Sequence, residues 1–345
     1  MKNLLNKFLS IGGFFCLLLL TACSKQTDDE NKLIEVLLQG PTMGTTYHVK
    51  VVATEKEIKE KQLQAQIDDL LKEINQQMST YIDDSELSRF NALQSTKPVE
   101  ISEPLREVIA ESLRIGKISD GKLDITVGPL VNLWGFGPEY RPEKIPTEEK
   151  LKKTKARTGL DKLHLEGNSL SKSIPELYVD LSTTAKGYGV DKVAELIEQN
   201  GFQNYLVEIG GEMRLKGFKH TGELWHVAIE KPTSSERAVY QIIVPKDNAV
   251  ATSGDYRNYF EVEGQRFSHI IDPSTGKPIN HKLVSVTVIH PSSMTADGLS
   301  TALMVMGPEK GLTFAKEHNI AALFIIKTEH GFVQENTVKF VQYLK

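Results

Sequence analysis

The chain has 345 residues, of which 40% are hydrophobic and 25% are charged, an ordinary composition for a globular protein. A chain of this length can form one large domain or two smaller ones, with a substantial core. Its formal net charge of −4, and the absence of a basic stripe in the sequence, argue against nucleic-acid binding.

The N-terminal residues predict a bacterial lipoprotein signal rather than a part of the fold. Lys2 and Lys7 precede an apolar run at 11–20, which is too short to span a bilayer comfortably. The run leads into Leu20–Cys23, which reads Leu-Thr-Ala-Cys and resembles a lipobox. We therefore expect a signal peptide at 1–22, lipid on Cys23, a polar tether at 23–32 and a folded domain at 33–345. The alternative is a plain secretory signal with an incidental cysteine.

The chain has two cysteines, Cys16 and Cys23. The first would leave with the signal peptide and the second would be acylated. The folded domain would then contain no disulfide and no thiolate metal site. Its chemistry must come from oxygen and nitrogen groups.

The pattern of hydrophobic residues predicts an α+β fold with mixed, largely antiparallel sheets and packed helices. Strands are predicted at 33–38 and 45–53 around a turn at Gly40-Pro41, and amphipathic helices at 57–78 and 103–119. Later strands are predicted, in order along the chain, at 204–209, 225–230, 239–244, 257–261, 267–271, 284–290 and 321–326.

One segment, Val179–Tyr188, combines a predicted strand end, a hydroxyl-rich turn and a helix start. Ser182, Thr183 and Thr184 are residue types that cap helices, and an apolar helical pattern follows them. Backbone N–H groups and the positive end of the helix dipole suit an anion there, and Lys186 adds a full charge. The alternative is an ordinary capped helix after a strand.

A second helix start carries Asp297 and Thr301, which are four residues apart and so point to one face. A carboxylate and a hydroxyl are hard oxygen ligands, which suit Mg²⁺ or Ca²⁺ better than zinc. Waters, a main-chain carbonyl or ligand phosphates would have to complete the shell. The alternative is that Asp297 only complements the helix dipole.

Three other residues have both a functional and a structural interpretation. Met43, in a Gly-containing loop, could contact a flat ring or fill the core, and Tyr81 could stack on a ligand or lie half-buried at the surface. His269 precedes an Asp-Pro turn and could be a general base, although a single histidine is more often structural. The paired glycines at 210–211, flanked by carboxylates, suit either a ligand or a bulged hairpin.

Five short motifs occur in a fixed order along the chain. They lie at 43–47, at 180–188, at 208–212, at 251–255 together with 268–273, and at 295–301. Together they resemble the ApbE family, the FAD:protein FMN transferases, many of which are bacterial lipoproteins. The resemblance extends over nearly all of the predicted domain.

The resemblance implies an ApbE-like fold with the FAD site in a cleft between lobes. It implies an enzyme that cleaves FAD and joins FMN through a phosphoester to a Thr or Ser of an acceptor protein, with release of AMP. Mg²⁺ is the implied metal, and the implied acceptors are flavin-bearing subunits of membrane redox pumps. Two alternatives are a Mg²⁺-dependent FAD pyrophosphatase and a lipid-anchored flavin-binding protein without chemistry.

The resemblance also implies roles for individual residues. His269 would be the base on the acceptor hydroxyl, and the metal would be held by Asp297, Thr301 and the main-chain carbonyl of Ala185. The family pattern varies at Lys186, where some members have an acidic residue. The residues implied to bind FAD are Met43, Tyr81, Lys122, Leu123, Asp124, Asp180, Ser182, Lys186 and Ile271. The implied location is the periplasmic side of the inner membrane, with the outer membrane as an alternative.

Overall fold

A computed structural model of the chain describes residues 32–137, 145–233, 238–256, 258–262 and 265–345. The predicted signal peptide, Cys23 and all but the last residue of the tether lie outside these ranges. Within them, no helix is long and apolar enough to cross a membrane.

The described residues contain ten α-helices and a 3₁₀ turn at Leu160–Lys162. The helices are α1 (Glu55–Glu60), α2 (Leu63–Met78), α3 (Glu86–Ala92), α4 (Glu103–Ile118), α5 (Gly128–Leu133), α6 (Glu148–Lys155), α7 (Ala185–Gln199), α8 (Ser293–Met306), α9 (Pro308–Glu317) and α10 (Val338–Val341).

The same residues contain seventeen strands. They are β1 (Ile34–Thr42), β2 (Thr45–Ala53), β3 (Val99–Glu100), β4 (Leu163–Glu166), β5 (Ser169–Lys172), β6 (Tyr205–Ile209), β7 (Glu212–Lys216), β8 (Val227–Glu230), β9 (Val239–Ile243), β10 (Ala249–Gly254), β11 (Tyr259–Val262), β12 (Gln265–Ser268), β13 (Ile271–Asp272), β14 (Lys277–Pro278), β15 (Leu283–His290), β16 (Ala321–Thr328) and β17 (Gly331–Asn336).

Eight strands form one sheet, in the order β1-β2-β6-β7-β10-β15-β16-β17, and every neighbouring pair is antiparallel. Four smaller sheets, β3-β5-β4, β8-β9, β11-β12 and β13-β14, surround it. The predicted α+β class, with largely antiparallel sheets and packed helices, is confirmed.

Helices α7 and α8 cover one face of the large sheet, α7 against β6 and β7 and α8 against β10 and β15. The strands present alternate residues to this layer, as in β2, where Tyr47, Val49 and Val51 are fully buried. The opposite face packs on the β8-β9 hairpin and on α10 through Trp225, Val250 and Phe340. The sheet is therefore buried on both faces near its centre.

The two central helices approach each other unusually closely at Gly187. A Cβ atom there would lie 2.4 Å from the carbonyl oxygen of Ser293. Asp191, one turn further along α7, accepts hydrogen bonds from the backbone N–H groups of Ser293 (2.9 Å) and Met294 (3.0 Å). It also accepts one from the hydroxyl of Ser292 (2.8 Å). A side chain of one helix thus caps the other helix, which sets their relative position.

The turn between the first two strands lies at Met43-Gly44, and the prediction of a turn at Gly40-Pro41 was wrong. Gly40 and Pro41 belong to β1, opposite Tyr47 and Thr46 of β2. Proline is tolerated there because β1 is an edge strand. Met43 and Gly44 have φ values of 49° and 71°, as in a two-residue type I′ turn.

Two further predictions need correction. The helix predicted at 57–78 is two helices, because Gln62 has a φ of 50° and interrupts it. The strand predicted before Ser182 is extended chain outside any ladder, although Leu177, Val179 and Leu181 are buried as its alternation requires. In the second place tertiary contacts override the local pattern.

We expect Gly187→Ala to lower the free energy of unfolding by about 1–3 kcal/mol, because its methyl group would meet backbone atoms of α8. The matched control is Gly189→Ala in the same helix, whose nearest atom is the flexible end of Met43 at 2.9 Å. There the gain in helix propensity of about 1 kcal/mol offsets the crowding. Urea denaturation of both variants measures the difference, and equal stabilities would contradict the close approach.

Candidate functional site

The segment that leads into α7 is held by side chains instead of a neighbouring strand. The side-chain amide of Asn91 donates to the carbonyl of Val179 and accepts from its N–H, both at 2.8 Å. The ammonium group of Lys172, which is 2% exposed, donates to the carbonyl of Leu177 at 3.4 Å. These contacts satisfy the buried backbone and deliver the chain to the start of α7 in one conformation.

The predicted hydroxyl cap of α7 is not formed. Thr184 is the N-cap residue, but its hydroxyl lies 3.0 Å from the hydroxyl of Ser112 instead of capping the helix. One turn earlier, Asp180 accepts a hydrogen bond from the N–H of Ser182 at 2.8 Å. The backbone N–H of Gly187 donates to Asp297 of α8 at 3.2 Å. A carboxylate from a distant part of the chain therefore occupies the helix start.

A cavity of about 590 Å³ opens at this helix start, within the size range of small-molecule sites. Tyr81, at the wall of the cavity, is 73% exposed. Met43 packs against two hydrophobic clusters, one beneath β2 and one around α4. Ile74 and Met78 of α2 add apolar lining. Six of the residues predicted to bind FAD or metal contribute to it: Met43, Tyr81, Asp180, Ser182, Ala185 and Lys186.

Lys186 lies between two buried carboxylates. Its ammonium nitrogen is 2.9 Å from Oε1 of Glu212 and 3.8 Å from Oδ2 of Asp297. The side chains of Glu212 and Asp297 are only 6% and 5% exposed. Oε2 of Glu212 is buried and has no hydrogen-bond partner. When both carboxylates are ionised, the cluster carries one more negative charge than positive charge, and this ionised form favours an added cation.

The pKa values of this cluster reflect its burial. Burial raises the pKa of Asp297 to about 8, with Lys186 opposing the rise and Glu212 adding to it. Burial alone would lower the pKa of Lys186, but the two carboxylates raise it above the ordinary value for lysine. The lysine is thus firmly protonated, and Asp297 is the member that most needs a further cation.

Thr301 lies one turn beyond Asp297 on α8, and its hydroxyl oxygen is 3.2 Å from the hydroxyl oxygen of Ser253 in β10. Ala185 is the first residue of α7, two residues before the Gly187–Asp297 contact. The predicted metal ligands therefore lie where α7 and α8 meet. Their hard oxygens suit Mg²⁺. No group of three or more His, Cys, Asp or Glu that could hold a metal occurs in the described part of the chain.

A second group of predicted residues lies around β13. The ammonium group of Lys122 donates to Asp272 and to the hydroxyl of Ser274, both at 3.1 Å. These bonds tie the loop at 122–124 to β13, where Ile271 is buried. These residues do not line the 590 Å³ cavity. The predicted FAD residues thus form two groups.

The other two residues of the 122–124 loop differ in what they offer a ligand. Leu123 is 1% exposed and packs in the core with α8, so only its main chain is left for a ligand contact. Asp124 accepts hydrogen bonds from Thr126, yet burial raises its pKa.

His269 follows the β11-β12 hairpin, which packs on α5 through Phe260, Phe267 and Trp134. Its Nδ1 is 3.0 Å from the carbonyl oxygen of Asn258. A carbonyl only accepts, so Nδ1 carries the proton and Nε2 keeps its lone pair. Burial lowers the pKa of His269, and Lys186 lowers it further. The ring is therefore neutral near pH 7 and within electrostatic reach of the Lys186 cluster.

Sequence reasoning assigns no role to Glu212 or Asn91. In the structure Glu212 belongs to the ion cluster, and Asn91 holds the segment that leads to it. The motif at 208–212 draws attention to the glycine pair, and in the sequence Glu212 is only a carboxylate that flanks this pair. Asn91 has no local signal, because its partner Val179 lies 88 residues away. A charged residue directly after a Gly-Gly turn was the one available hint for Glu212.

Comparison with known proteins identifies the family of the chain. The model of the ApbE family matches residues 43–324. The chain belongs to the ApbE family. A protein of Vibrio cholerae named FAD:protein FMN transferase is 54% identical over 328 residues, which cover 95% of this chain and 96% of that one. A protein of the same name from Escherichia coli K12 is 45% identical over 317 residues, 89% of each chain.

Solved structures of ApbE proteins share the fold. The flavin transferase ApbE from Vibrio cholerae has a TM-score of 0.85 and 54% identity, covering 90% of this chain and 100% of that one. The apo form of a flavinyl transferase ApbE from Pseudomonas stutzeri has a TM-score of 0.83 and 41% identity, covering 91% and 97%. The ApbE-like fold expected from the sequence is therefore confirmed.

Proposed function

We propose that this chain transfers FMN from FAD to a Thr or Ser hydroxyl of an acceptor protein and releases AMP. The observation that carries the proposal is the buried cluster of Lys186, Glu212 and Asp297 at the start of α7, beside the 590 Å³ cavity. The ammonium group of Lys186, together with a cation held by the buried carboxylates, would suit a diphosphate. The relatives named FAD:protein FMN transferase support the same reaction.

In this proposal Asp297, the hydroxyl of Thr301 and the main-chain carbonyl of Ala185 hold Mg²⁺. The raised pKa of Asp297 and the orphaned oxygen of Glu212 fit an added cation, which would replace the proton on Asp297. When bound, the metal would neutralise charge on the diphosphate. Lys186 orients the phosphate groups, and Glu212 keeps Lys186 in place by its 2.9 Å ion pair.

The two groups of predicted residues would hold the two ends of FAD. Met43 and Tyr81 would contact the isoalloxazine ring in the cavity, and Asp180 and Ser182 would line the path to the phosphates. The loop at 122–124 and Ile271 would contact the remainder of the dinucleotide. In this proposal the space between the two groups corresponds to the expected cleft between lobes.

The chemical step requires a base for the acceptor hydroxyl. The hydroxyl oxygen forms a bond to the phosphorus of the FMN half as the bond from that phosphorus to the bridging oxygen breaks. AMP leaves with the bridging oxygen, and the hydroxyl proton passes to Nε2 of His269. Its hydrogen bond to Asn258 fixes the tautomer that this role requires.

The proposed location rests on the sequence alone. Cleavage before Cys23 and lipidation of its sulfur and new amino group would anchor the enzyme to the membrane on the periplasmic side. The proposed acceptors are flavin-bearing subunits of membrane redox pumps, which favours the inner membrane over the outer one. Residues 24–32 would then give the domain freedom to reach them.

The fate of FAD tests the proposed reaction. Purified protein is mixed with FAD, Mg²⁺ and a flavin-free periplasmic domain of a redox-pump subunit, and the products are separated by mass spectrometry. We expect a flavin adduct on the acceptor and one AMP for each adduct. Free FMN without an adduct would instead indicate the pyrophosphatase, and intact FAD a binding protein.

We expect Asp297→Ala to abolish both Mg²⁺ dependence and transfer, with a loss of about 100-fold or more, because it removes a charged ligand from a site poor in ligands. Asp297→Asn should lose as much while keeping the size of the side chain. Glu317→Gln, at the exposed end of α9, is the control for an equal change of charge.

The readouts for these variants are transfer and the Mg²⁺-dependent rise in melting temperature. Normal transfer by Asp297→Ala in chelator-treated buffer would refute the metal assignment.

We expect His269→Ala to bind FAD with an unchanged Kd and to transfer FMN about 10²–10⁴-fold more slowly, because it removes only the base. In the wild type, the acidic limb of the transfer rate should lie below pH 6.5, since burial lowers the pKa of His269 from that value. Stopped-flow binding and a pH–rate profile measure the two effects. Wild-type transfer by the variant would remove His269 from the mechanism.

A further inference from the structure

The large sheet is split in its interior. Strands β7 and β10 pair only at Met213–Val250 and Arg214–Ala249, although β10 continues to Gly254 and pairs with β15 over its whole length. Beyond Val250, β7 turns away into the glycine pair that links it to β6. A wedge therefore opens between two neighbouring strands, which is unusual because proteins normally cover or close free strand edges.

The register shows which backbone groups face this wedge. The N–H of Leu215 donates to the carbonyl of Asn248, so residues 248, 250, 252 and 254 direct their backbone groups toward β7. On the other side of β10, the N–H of Asp255 donates to the carbonyl of Val284 in β15. The odd-numbered residues of β10 thus direct their backbone groups toward β15 and the even-numbered ones toward β7. Thr252 and Gly254 thus present their N–H and C=O groups to the wedge, with no ladder partner there in the described residues.

The wedge opens into a cavity of about 260 Å³, which we call the β10 groove. It is lined by the glycine turn, by the unpaired end of β10 and by all four residues of β8. Pockets that enclose small molecules hold roughly 300–1,000 Å³, so this groove is too small for a dinucleotide. Residues that line it include Gly210, Gly211, Ala228, Ile229, Thr252 and Gly254.

The groove borders the proposed catalytic centre at two points. A Cβ atom on Gly210 would lie 3.5 Å from Cδ of Lys186, which also lines the FAD cavity. Ser253, between the two groove residues of β10, has its hydroxyl oxygen 3.2 Å from that of Thr301. A chain in the groove would therefore reach the same ion cluster that the FAD cavity reaches.

We propose that the β10 groove binds the acceptor protein, as an extended segment that adds a strand to Thr252–Gly254 and carries the hydroxyl that receives FMN. This inference rests on the proposed transferase function and names where its second substrate enters. Strand addition uses main-chain hydrogen bonds for affinity, so it tolerates acceptors of varied sequence, and the pockets for alternate side chains supply selectivity. The open backbone groups and the small volume fit a peptide and not a second nucleotide.

The first test fills the groove. Ala228 is an exposed residue of β8 that lines it, and Ala228→Trp should raise the KM for the flavin-free acceptor domain about tenfold while leaving the Kd for FAD unchanged. The control is Val239→Trp, since Val239 is 61% exposed on β9 outside the groove. It should leave both values unchanged, and melting temperatures confirm that both variants fold.

The second test reads the proposed hydrogen bonds directly. Hydrogen exchange of wild-type protein, resolved to the amides of Thr252 and Gly254, should slow at least tenfold with saturating acceptor domain and stay unchanged with FAD alone. An acceptor KM for Ala228→Trp within twofold of wild type, or unchanged exchange at both amides, overturns the proposal. Slowed exchange with FAD alone also overturns it, because the nucleotide would then occupy the groove.

These outcomes are separable from failure of the transferase reaction itself. If wild-type protein forms the flavin adduct but either groove test gives the contrary result, the transferase function stands and the acceptor binds elsewhere. If mass spectrometry of the acceptor shows no adduct with wild-type protein, both the proposed function and this inference are wrong.

Discussion

The ion cluster around Lys186 depends on how closely α7 and α8 pack. Gly187 lets their backbones meet, and Asp191 caps the start of α8 from within α7. With the helices held in this way, Asp297 accepts the N–H of Gly187 and lies beside Lys186. Burying two carboxylates around one ammonium group is costly unless a further cation joins them. The packing therefore raises the pKa of Asp297, so that either a proton or a bound cation balances the charge of the site.

The large sheet adds two contributions to this helix pair. Through β7 it supplies Glu212, whose ion pair keeps Lys186 over the helix start. Through β10 it supplies Ser253, whose hydroxyl contacts Thr301. The pairing of β7 with β10 stops next to Glu212 and Ser253. The gap between the two strands there forms the β10 groove. Substrate binding and acceptor docking would thus share the same pair of strands.

Much of this fold could be predicted from the sequence, because the elements with strong periodicity are those that pack on the core. The helix at 103–118 and the alternation in β2 follow directly from their apolar residues. The break at Gln62 could not be predicted, since glutamine is not a residue type that favours a positive φ. The segment before α7 also escaped prediction, because Asn91 and Lys172 replace a strand partner with side chains from elsewhere in the chain. In the site, the motifs singled out Lys186 and Asp297 separately, but their contact is a product of tertiary packing.

The Gly187–Asp297 hydrogen bond joins residues that are 110 positions apart in the chain. Closing a loop of that length costs conformational entropy, which the contacts made by the intervening elements must offset. No fragment ending before α8 can therefore contain the ion cluster. Affinity for nucleotide and metal would then appear only with the complete fold, and bound ligand would add its binding energy to the global stability of the chain and not merely to a local loop.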